Sequence, residues 1–263
     1  MLQVRTRSPE SDNGEARLIA RPWDPARAAV VICDMWDAHH CRTAMRRVSE
    51  MASRVNMVVS RLRAEGTRIV HAPGGCIDFY AGTLARARAL SAPHVEPPAP
   101  IDWNSWNCDH YRALPWTLIA PGPCSCATAE PGCTGGPPYP WTRQHPAIDI
   151  GPADAVTEDG HELLNLLEAD GVEDVLILGV HTNICVLGRP YGIRQLVFLG
   201  KRPLLCRDLT DSFHRDPHGH AWGTDQLVAH VERHWCPSVT SDQFIGGVPF
   251  QFTANEEPRK GSA

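Results

Sequence analysis

The first regular pattern along the chain is a short, continuous apolar run at residues 28–33, which ends at Asp34. A run of this length predicts a strand that is buried on both faces of a sheet. From residue 42 to residue 65, apolar positions recur at steps of three and four, which predicts an amphipathic helix. A second strand is predicted at residues 67–71. Strand, helix and strand in this order form the unit of a parallel sheet with a right-handed crossover.

A second block of regular patterns begins at Asp159. This residue and Glu162 are typical of a helix N-terminus, and the leucines after them predict a helix that ends before Gly171. Residues 175–180 are apolar and partly β-branched, which predicts another buried strand. Further along, the pattern predicts a helix through residue 199, a strand at 204–208, a helix at 224–235 and a final strand at 237–241.

Strands that alternate with helices predict an α/β fold: a doubly wound, mainly parallel sheet with helices on both faces. Residues 90–147 interrupt this alternation with a stretch rich in Pro, Gly, Trp and Cys. Long segments without periodicity are often functional, so we predict an irregular insertion that forms an ordered lid or an oligomer contact. We divide the chain into a loose N-terminal arm at residues 1–26, a single domain at 27–248 and a C-terminal tail at 249–263.

Charge and hydropathy argue against several partners. The net charge of -5 provides no electrostatic reason to bind nucleic acid or an anionic membrane surface. No apolar run approaches the roughly 20 residues that a membrane-spanning helix needs, and residues 1–21 lack the apolar core of a signal peptide. We therefore expect a cytoplasmic protein whose partners are a small-molecule substrate and further copies of the same chain.

Two residues with reactive side chains follow predicted strands. Asp34 ends the first strand, and Cys185 comes after the strand at 175–180 and a short polar turn. The carboxyl ends of parallel strands lie at one edge of the sheet, where α/β folds bind their ligands. A carboxylate beside a thiol is a base and nucleophile pair. Each residue also has a structural reading, Asp34 as a helix cap and Cys185 as a buried core cysteine.

The segments around these two residues resemble motifs of the isochorismatase-like cysteine hydrolases, the group that includes nicotinamidases. Their first-strand motif is similar to VICDMWD at residues 31–37, and their nucleophile motif is similar to GVHTNICV at 179–186. The likeness covers roughly residues 27–90 and 147–215. It implies a catalytic Asp, Lys and Cys, in which the thiolate attacks an amide-like carbon and the acid moves protons.

The resemblance assigns roles to individual residues. Asp34 becomes the base and Cys185 the nucleophile. The peptide bond between Val180 and His181, just before Thr182, becomes the candidate cis bond that orients N–H groups as an oxyanion hole. The N–H of Cys185 and a neighbouring N–H would then face the oxyanion.

The chain departs from the family at the lysine. That residue falls between the two motifs, yet no lysine lies between Asp34 and Cys185. Arg143 is the favoured substitute, because it supplies the positive charge. Unlike lysine, it does not exchange protons. His145 would supply both. Arg143 could instead form an ion pair at the surface or at an interface. The remaining alternative is that neither Arg143 nor His145 replaces the lysine.

The chain is also similar to a less characterised branch of the same superfamily. The likeness lies in residues 33–39, 139–144, 179–191 and 240–243. Membership of this branch would say more about the fold of the protein than about its function. Together with the predicted sheet edge, these segments indicate the substrate-pocket residues Trp36, Asp37, His39, His71, Trp141, Gln144 and His145.

We expect a protein without a cofactor, and zinc binding is the alternative. Many nicotinamidases bind a metal through Asp-x-His and a further His, but residues 71–78 lack that pair. Asp37, His39 and His71 are a different candidate zinc set, with hydrogen-bonded polar residues as the other reading. Elsewhere, Cys108, Cys124, Cys126 and Cys133 are candidates for a four-thiolate zinc site, for disulfides or for reduced thiols.

Three functions remain open. The first is a cysteine hydrolase that cleaves a C–N bond of a small amide or ureido compound through a Cys185 thioester. The second is an enzyme of the same fold that uses acid–base chemistry without the thiol, as in vinyl ether hydrolysis or a biosynthetic tailoring step. The third, motivated by the missing lysine, is a catalytically inactive binding or oligomer-forming protein.

Overall fold

A computed structural model describes residues 1–8, 15–101, 103, 124–126, 131–214 and 219–253. Eight strands form one sheet. They are Leu2–Arg7 (β1), Ala16–Arg21 (β2), Ala28–Cys33 (β3), Arg68–Ala72 (β4), Ala155–Val156 (β5), Asp174–Val180 (β6), Arg202–Asp211 (β7) and Ser238–Val239 (β8). The helices of these described ranges are Arg42–Ala64 (α1), Leu84–Leu90 (α2), Gly160–Ala169 (α3), Ile193–Phe198 (α4), His220–His234 (α5) and Asp242–Ile245 (α6).

The sheet has the order β2-β1-β8-β7-β6-β3-β4-β5. All pairs from β8 to β5 are parallel, and β1 and β2 add an antiparallel edge. Every residue of β3 and of β6 is buried, which requires cover on both faces of the sheet centre. This confirms the predicted α/β fold. None of the described helices is long and apolar enough to cross a membrane.

The N-terminal segment differs from the loose arm that we expected. β1 and β2 form an antiparallel hairpin, and Arg5 of β1 pairs with Ser238 of β8. Leu2 and Val4 are buried, and Glu232 forms ion pairs with the guanidinium groups of β1. The partner strand lies more than 200 positions away in the sequence, so no local sequence pattern predicts this pairing. The boundaries at residues 27 and 248 stay a prediction.

Most other elements lie close to their predicted positions. α1 ends one residue before the predicted residue 65, whereas α5 begins at His220, four residues before the predicted start. The sequence did not indicate α2 or β5, because α2 alternates alanine with arginine and β5 has two residues. Much of the predicted insertion at 90–147, including Cys108, lies outside the described residues, so its role as lid or oligomer contact stays a prediction.

Gly179 in β6 permits the close approach of β6 to β3. A Cβ at this position would lie 2.0 Å from the carbonyl oxygen of Cys33, and the backbone φ of +109° already disfavours a side chain. Gly179→Ala is therefore expected to lower the free energy of unfolding by about 3 kcal/mol or more, since a backbone atom of a central strand has to move.

Gly200→Ala is the matched control for this prediction. Its φ of +74° is also left-handed, but nothing lies within 4 Å of the added carbon. The loss should be about 1 kcal/mol, from backbone conformation alone. Urea denaturation of both variants measures the difference, and equal losses would contradict the close approach.

Candidate active site

Asp34 is held at the carboxyl end of β3 as a buried carboxylate. Its φ of 47° lies in the left-handed region, which Asp tolerates better than most side chains. Oδ1 accepts hydrogen bonds from the N–H of Gly74 at 2.6 Å and from the hydroxyl of Tyr191 at 2.8 Å. Oδ2 accepts one from Nε of Arg189 at 3.2 Å. Such charge-assisted bonds compensate a carboxylate for the loss of water.

Gly74 allows the loop after β4 to approach this carboxylate. A Cβ at Gly74 would lie 2.6 Å from the Tyr191 hydroxyl, 2.8 Å from Asp34 Oδ1 and 2.9 Å from Arg189 Nη2. Because all three are polar atoms of one hydrogen-bonded group, any larger side chain would separate them.

Cys185 meets Asp34 from the neighbouring strand. It lies on the turn after β6, which is one π-helical turn over Thr182–Val186; we call this segment the Cys185 turn. Only 4% of the residue is exposed, and the Asp34 carboxylate lies near enough to raise the pKa of its thiol. The two residues that sequence reasoning placed at one sheet edge therefore share one buried site.

The surroundings of Cys185 favour the protonated thiol. Burial raises the pKa of this thiol most, and the charge of Asp34 raises it further. Arg189 and the backbone N–H of His181 act in the opposite direction without reversing the shift. A buried thiol beside a carboxylate needs a base before it can act as a nucleophile.

Arg189 is the basic side chain that the structure places beside Asp34 and Cys185. Burial lowers its pKa, but Asp34 and Cys185 raise it more, so the guanidinium stays charged. Sequence reasoning missed it by searching between the two motifs, where the family lysine falls. A signal was present: Arg189 lies four positions after Cys185, and its N–H donates to the Cys185 carbonyl at 3.0 Å, a spacing that puts both on one face of a helical turn.

Arg143 and His145 lie elsewhere. Nε of Arg143 is 3.8 Å from Oδ2 of Asp37, and its guanidinium covers the ring of Phe79. Its side chain is 45% exposed, as expected of the surface ion pair that was its structural reading. The N–H of His145 donates to Met35, and burial lowers the pKa of its ring. The structure gives neither residue a contact with Asp34 or Cys185 in the part of the chain that it describes.

The peptide bond between Val180 and His181 is cis, which agrees with the position that the family resemblance implied. In the turn that follows, the N–H groups of Ile184 and Val186 both donate to the carbonyl oxygen of His181, at 2.9 and 3.1 Å. These two donors are committed to that carbonyl. The oxyanion role of the Cys185 N–H stays a prediction.

Side chains from the end of β7 hold the Cys185 turn in place. Thr182 Oγ1 lies 2.8 Å from Thr210 Oγ1 and donates to the carbonyl of Asp211 at 3.1 Å. The amide of Asn183 forms two bonds with the backbone of Phe213, each of 2.9 Å. These bonds fix two consecutive residues just before Cys185 to the end of β7 and the segment after it, which holds the thiol in place.

A pair of neutral histidines supports the same turn. The N–H of Cys41 donates to Nδ1 of His39 at 2.9 Å, so His39 carries its hydrogen on Nε2 and donates to Nε2 of His181 at 3.1 Å. His181 then carries its hydrogen on Nδ1, which faces Asp211 Oδ2 at 3.7 Å. Burial lowers the pKa of His39 to about 2 and that of His181 to about 3.

Trp36 and Trp141, two of the predicted pocket residues, form a stack with Tyr139 that we call the aromatic stack. Trp36 and Trp141 are parallel with ring centroids 4.2 Å apart, and Tyr139 stacks on Trp141 at 4.3 Å. Nε1 of Trp36 donates to the carbonyl of Gly74 at 2.9 Å. Since Gly74 contacts Asp34, the stack extends from the exposed Tyr139 to the edge of the buried site.

The candidate metal ligands Asp37, His39 and His71 are not brought together. Asp37 accepts hydrogen bonds from the backbone and hydroxyl of Thr142. His39 is occupied by the bonds described above. Both ring nitrogens of His71 are within hydrogen-bond distance of other side chains: Nδ1 is 2.7 Å from Gln144 Oε1, and Nε2 is 2.9 Å from Asp154 Oδ2. The polar-network reading describes these contacts better than a shared metal does.

A separate cavity is lined by residues of β7 and by the first turns of α5. Its volume is about 380 Å³, and its lining includes Arg47, Thr210, His220 and Phe250. Among the described residues that line it there is neither Asp34 nor Cys185. Size alone therefore does not identify the site, and the reactive side chains do.

Comparison with known proteins finds one matching family model and several solved structures of similar fold. The model of the isochorismatase domain matches residues 140–234, which include Cys185 and Arg189. No curated protein matches the chain. A cysteine hydrolase from Pseudomonas syringae pv. phaseolicola 1448A is similar in structure, with a TM-score of 0.53 and 13% identity over 87% of this chain and 95% of that chain.

Two further solved structures are similar to a lesser degree. An isochorismatase-like hydrolase from Alkaliphilus metalliredigens has 12% identity and a TM-score of 0.48 over 84% of this chain and 97% of that chain. N-carbamoylsarcosine amidase from Thermoplasma acidophilum has 15% identity and a TM-score of 0.41 over 78% and 92%. At these identities the likeness concerns the fold.

The fold and the site together define an α/β protein with a buried carboxylate and thiol at the carboxyl ends of adjacent parallel strands. Over residues 140–234 the chain is similar to the isochorismatase domain, and its fold is similar to that of a solved cysteine hydrolase.

Proposed function

We propose that this protein is a cysteine hydrolase that cleaves a C–N bond of a small amide or ureido substrate. The observation that carries the proposal is the burial of Cys185 near the Asp34 carboxylate, which Arg189 holds in place. Nucleophile, base and cation are the three parts that thiol hydrolysis of an amide requires. The substrate class comes from the family likeness and from this chemistry.

In the proposed reaction, Asp34 removes the proton from the Cys185 thiol as sulfur attacks the carbonyl carbon. The N–H of Cys185 donates to the oxyanion that forms. The C–N bond then breaks, the departing nitrogen takes the proton from Asp34, and a thioester remains. Asp34 next removes a proton from water, which attacks the thioester, and the proton returns to sulfur as the acid product leaves.

Arg189 has an electrostatic role in this scheme. Its charge is paired with the Asp34 carboxylate and opposes the rise in the pKa of the Cys185 thiol. A guanidinium does not exchange protons near neutral pH, so every proton transfer falls to Asp34. The assignment of the proton transfers would therefore differ from that in family members with a lysine.

The aromatic stack forms an apolar wall beside the loop that carries Gly74. Its faces are occupied by stacking within the wall, with Trp36 itself buried. A rigid wall of this kind supports a small substrate at the edge of the buried site. The assembly of the chain into a homo-oligomer stays a prediction.

The raised pKa of Cys185 gives a specific reason to keep a second candidate. Burial and Asp34 hold this residue as a neutral thiol, while Asp34, Tyr191 and Arg189 form a polar group that is complete without sulfur. Acid–base chemistry of the isochorismatase type would use Asp34 and leave Cys185 as packing.

Mass spectrometry of the intact protein tests the thiol mechanism. After short exposure to a panel of amides and ureido compounds and an acid quench, we expect one acyl adduct on Cys185. Cys185→Ala should form none. Cys33→Ala is the matched control and should keep the adduct, because Cys33 is buried beside the same carboxylate but its thiol faces the carbonyl of Val180. Turnover of a panel compound without an adduct, and with full activity in Cys185→Ala, would contradict thiol chemistry.

A further inference from the structure

Four cysteines from distant parts of the sequence converge next to the start of α1. Cys41 precedes that helix, and Cys124, Cys126 and Cys133 come from the predicted insertion. Their sulfur atoms all lie within 4.8 Å of one another. This cluster, which we call the cysteine cluster, has no part in the proposed reaction.

The sulfur–sulfur distances have the length of the edges of a metal-centred tetrahedron. Cys41 Sγ is 3.4 Å from Cys124 Sγ and 3.6 Å from Cys126 Sγ. Cys133 Sγ is 3.5 Å from Cys124 Sγ and 3.7 Å from Cys126 Sγ. Zinc–sulfur bonds of about 2.3 Å in a tetrahedron give edges of about 3.8 Å. A disulfide would need a separation of about 2.05 Å.

Hydrogen-bond donors lie close to several sulfur atoms of the cluster. The N–H groups of Arg42 and Cys126 each lie 3.4 Å from a sulfur atom, those of Cys133 and Cys124 respectively. The hydroxyl of Thr43 is 2.8 Å from the sulfur of Cys126. Donors of this kind orient the ligands of a metal site and tune them.

We propose that Cys41, Cys124, Cys126 and Cys133 bind one structural Zn²⁺ ion. Four thiolates fill a tetrahedral shell and leave no position for substrate, which is typical of structural rather than catalytic zinc. The set differs from the one that the sequence suggested, because Cys41 takes the place expected for Cys108, which lies outside the described residues.

Such an ion would fasten the insertion to the candidate active site. The N–H of Cys41 is the donor that fixes the tautomer of His39, and Thr134 donates to the carbonyl of His40 at 3.0 Å. Without the ion, the contacts among the four sulfurs are weak hydrogen bonds between thiols. Metal binding does not depend on the proposed hydrolysis, so either idea can fail alone.

Metal analysis of the whole protein, purified in reducing buffer without a histidine tag, tests the site. We expect about one zinc per chain, as four-thiolate sites bind a single ion. Replacement by Co²⁺ should give the absorption bands of tetrahedral thiolate coordination. Titration of the wild-type thiols with a mercurial should release the zinc, which provides a measurement that needs no variant.

Variants identify the ligands. Cys41→Ser and Cys126→Ser should each lose most of the zinc and unfold at lower temperature. Cys236→Ser, at a buried cysteine outside the cluster, and Cys108→Ser should keep it. Zinc that is lost in Cys108→Ser but kept in Cys41→Ser would overturn the assignment of Cys41. Wild-type protein without zinc, whether its thiols are free or paired in disulfides, would overturn the site itself.

Discussion

Asp34→Asn is expected to abolish turnover and at the same time to lower the pKa of the Cys185 thiol. The carboxylate raises that pKa, so its replacement by a neutral amide removes an unfavourable charge beside the thiolate. The base of the proposed reaction is lost with it, which costs about 10³-fold in rate. Asn is the suitable replacement because it has the same shape and tolerates the left-handed backbone of Asp34.

The rate of alkylation of Cys185 by iodoacetamide, followed by peptide mass across a pH series, measures this shift. In Asp34→Asn the midpoint should move to lower pH, so labelling at neutral pH becomes faster while catalysis disappears. Asp37→Asn is the matched control, since Asp37 is bonded to Thr142 and should leave the profile unchanged. A midpoint that stays in place or moves upward in Asp34→Asn would show that the carboxylate does not act on this sulfur.

The same variants separate the candidate functions. A thiol hydrolase loses turnover in both Cys185→Ala and Asp34→Asn. An acid–base enzyme keeps it in Cys185→Ala and loses it in Asp34→Asn. A binding protein has no turnover to lose and forms no adduct with any compound of the panel.

Arg189→Leu is expected to lower kcat/KM by about 10²-fold or more, because one guanidinium serves both Asp34 and Cys185. The pKa of the Cys185 thiol should rise, since Arg189 opposes the effect of Asp34. The free energy of unfolding should fall by about 3 kcal/mol, as the carboxylate stays buried with one partner fewer. Steady-state kinetics, the alkylation profile and urea denaturation report the three effects separately.

Arg189→Lys and Arg143→Leu sharpen this test. Arg189→Lys keeps the charge and should retain part of the activity. Arg143→Leu removes an exposed guanidinium paired with Asp37, so its kinetics should stay within about 3-fold of the wild type. Loss of activity in Arg143→Leu with normal activity in Arg189→Leu would return the cationic role to Arg143.

Local patterns along the chain predicted the parts of the site that the central strands carry. The apolar runs of β3 and β6 fixed where Asp34 and the turn before Cys185 had to lie, because parallel strands end at one edge. Burial at every position of these strands requires continuous apolar sequence, and such runs are visible without any knowledge of contacts. The predicted position of the cis peptide came from family likeness.

Local sequence patterns did not predict the partners of these residues. Gly74, Arg189 and Tyr191 meet at the Asp34 carboxylate from segments 40, 155 and 157 positions away. Nothing in the local sequence distinguishes these side chains from others of the same types. Cys41 shows the same limit, because its place beside the three cysteines of the insertion follows from the docking of that insertion on α1.

By itself, the sequence determined the α/β class, the central strands and the two reactive residues, because hydrophobic period and strand-end position are properties of neighbouring residues. Only the tertiary structure decided which cation lies beside Asp34, which cysteines form a cluster and how the N-terminal hairpin joins the sheet. Those outcomes depend on the packing of segments far apart in the chain, where burial and hydrogen-bond geometry select among several equivalent side chains.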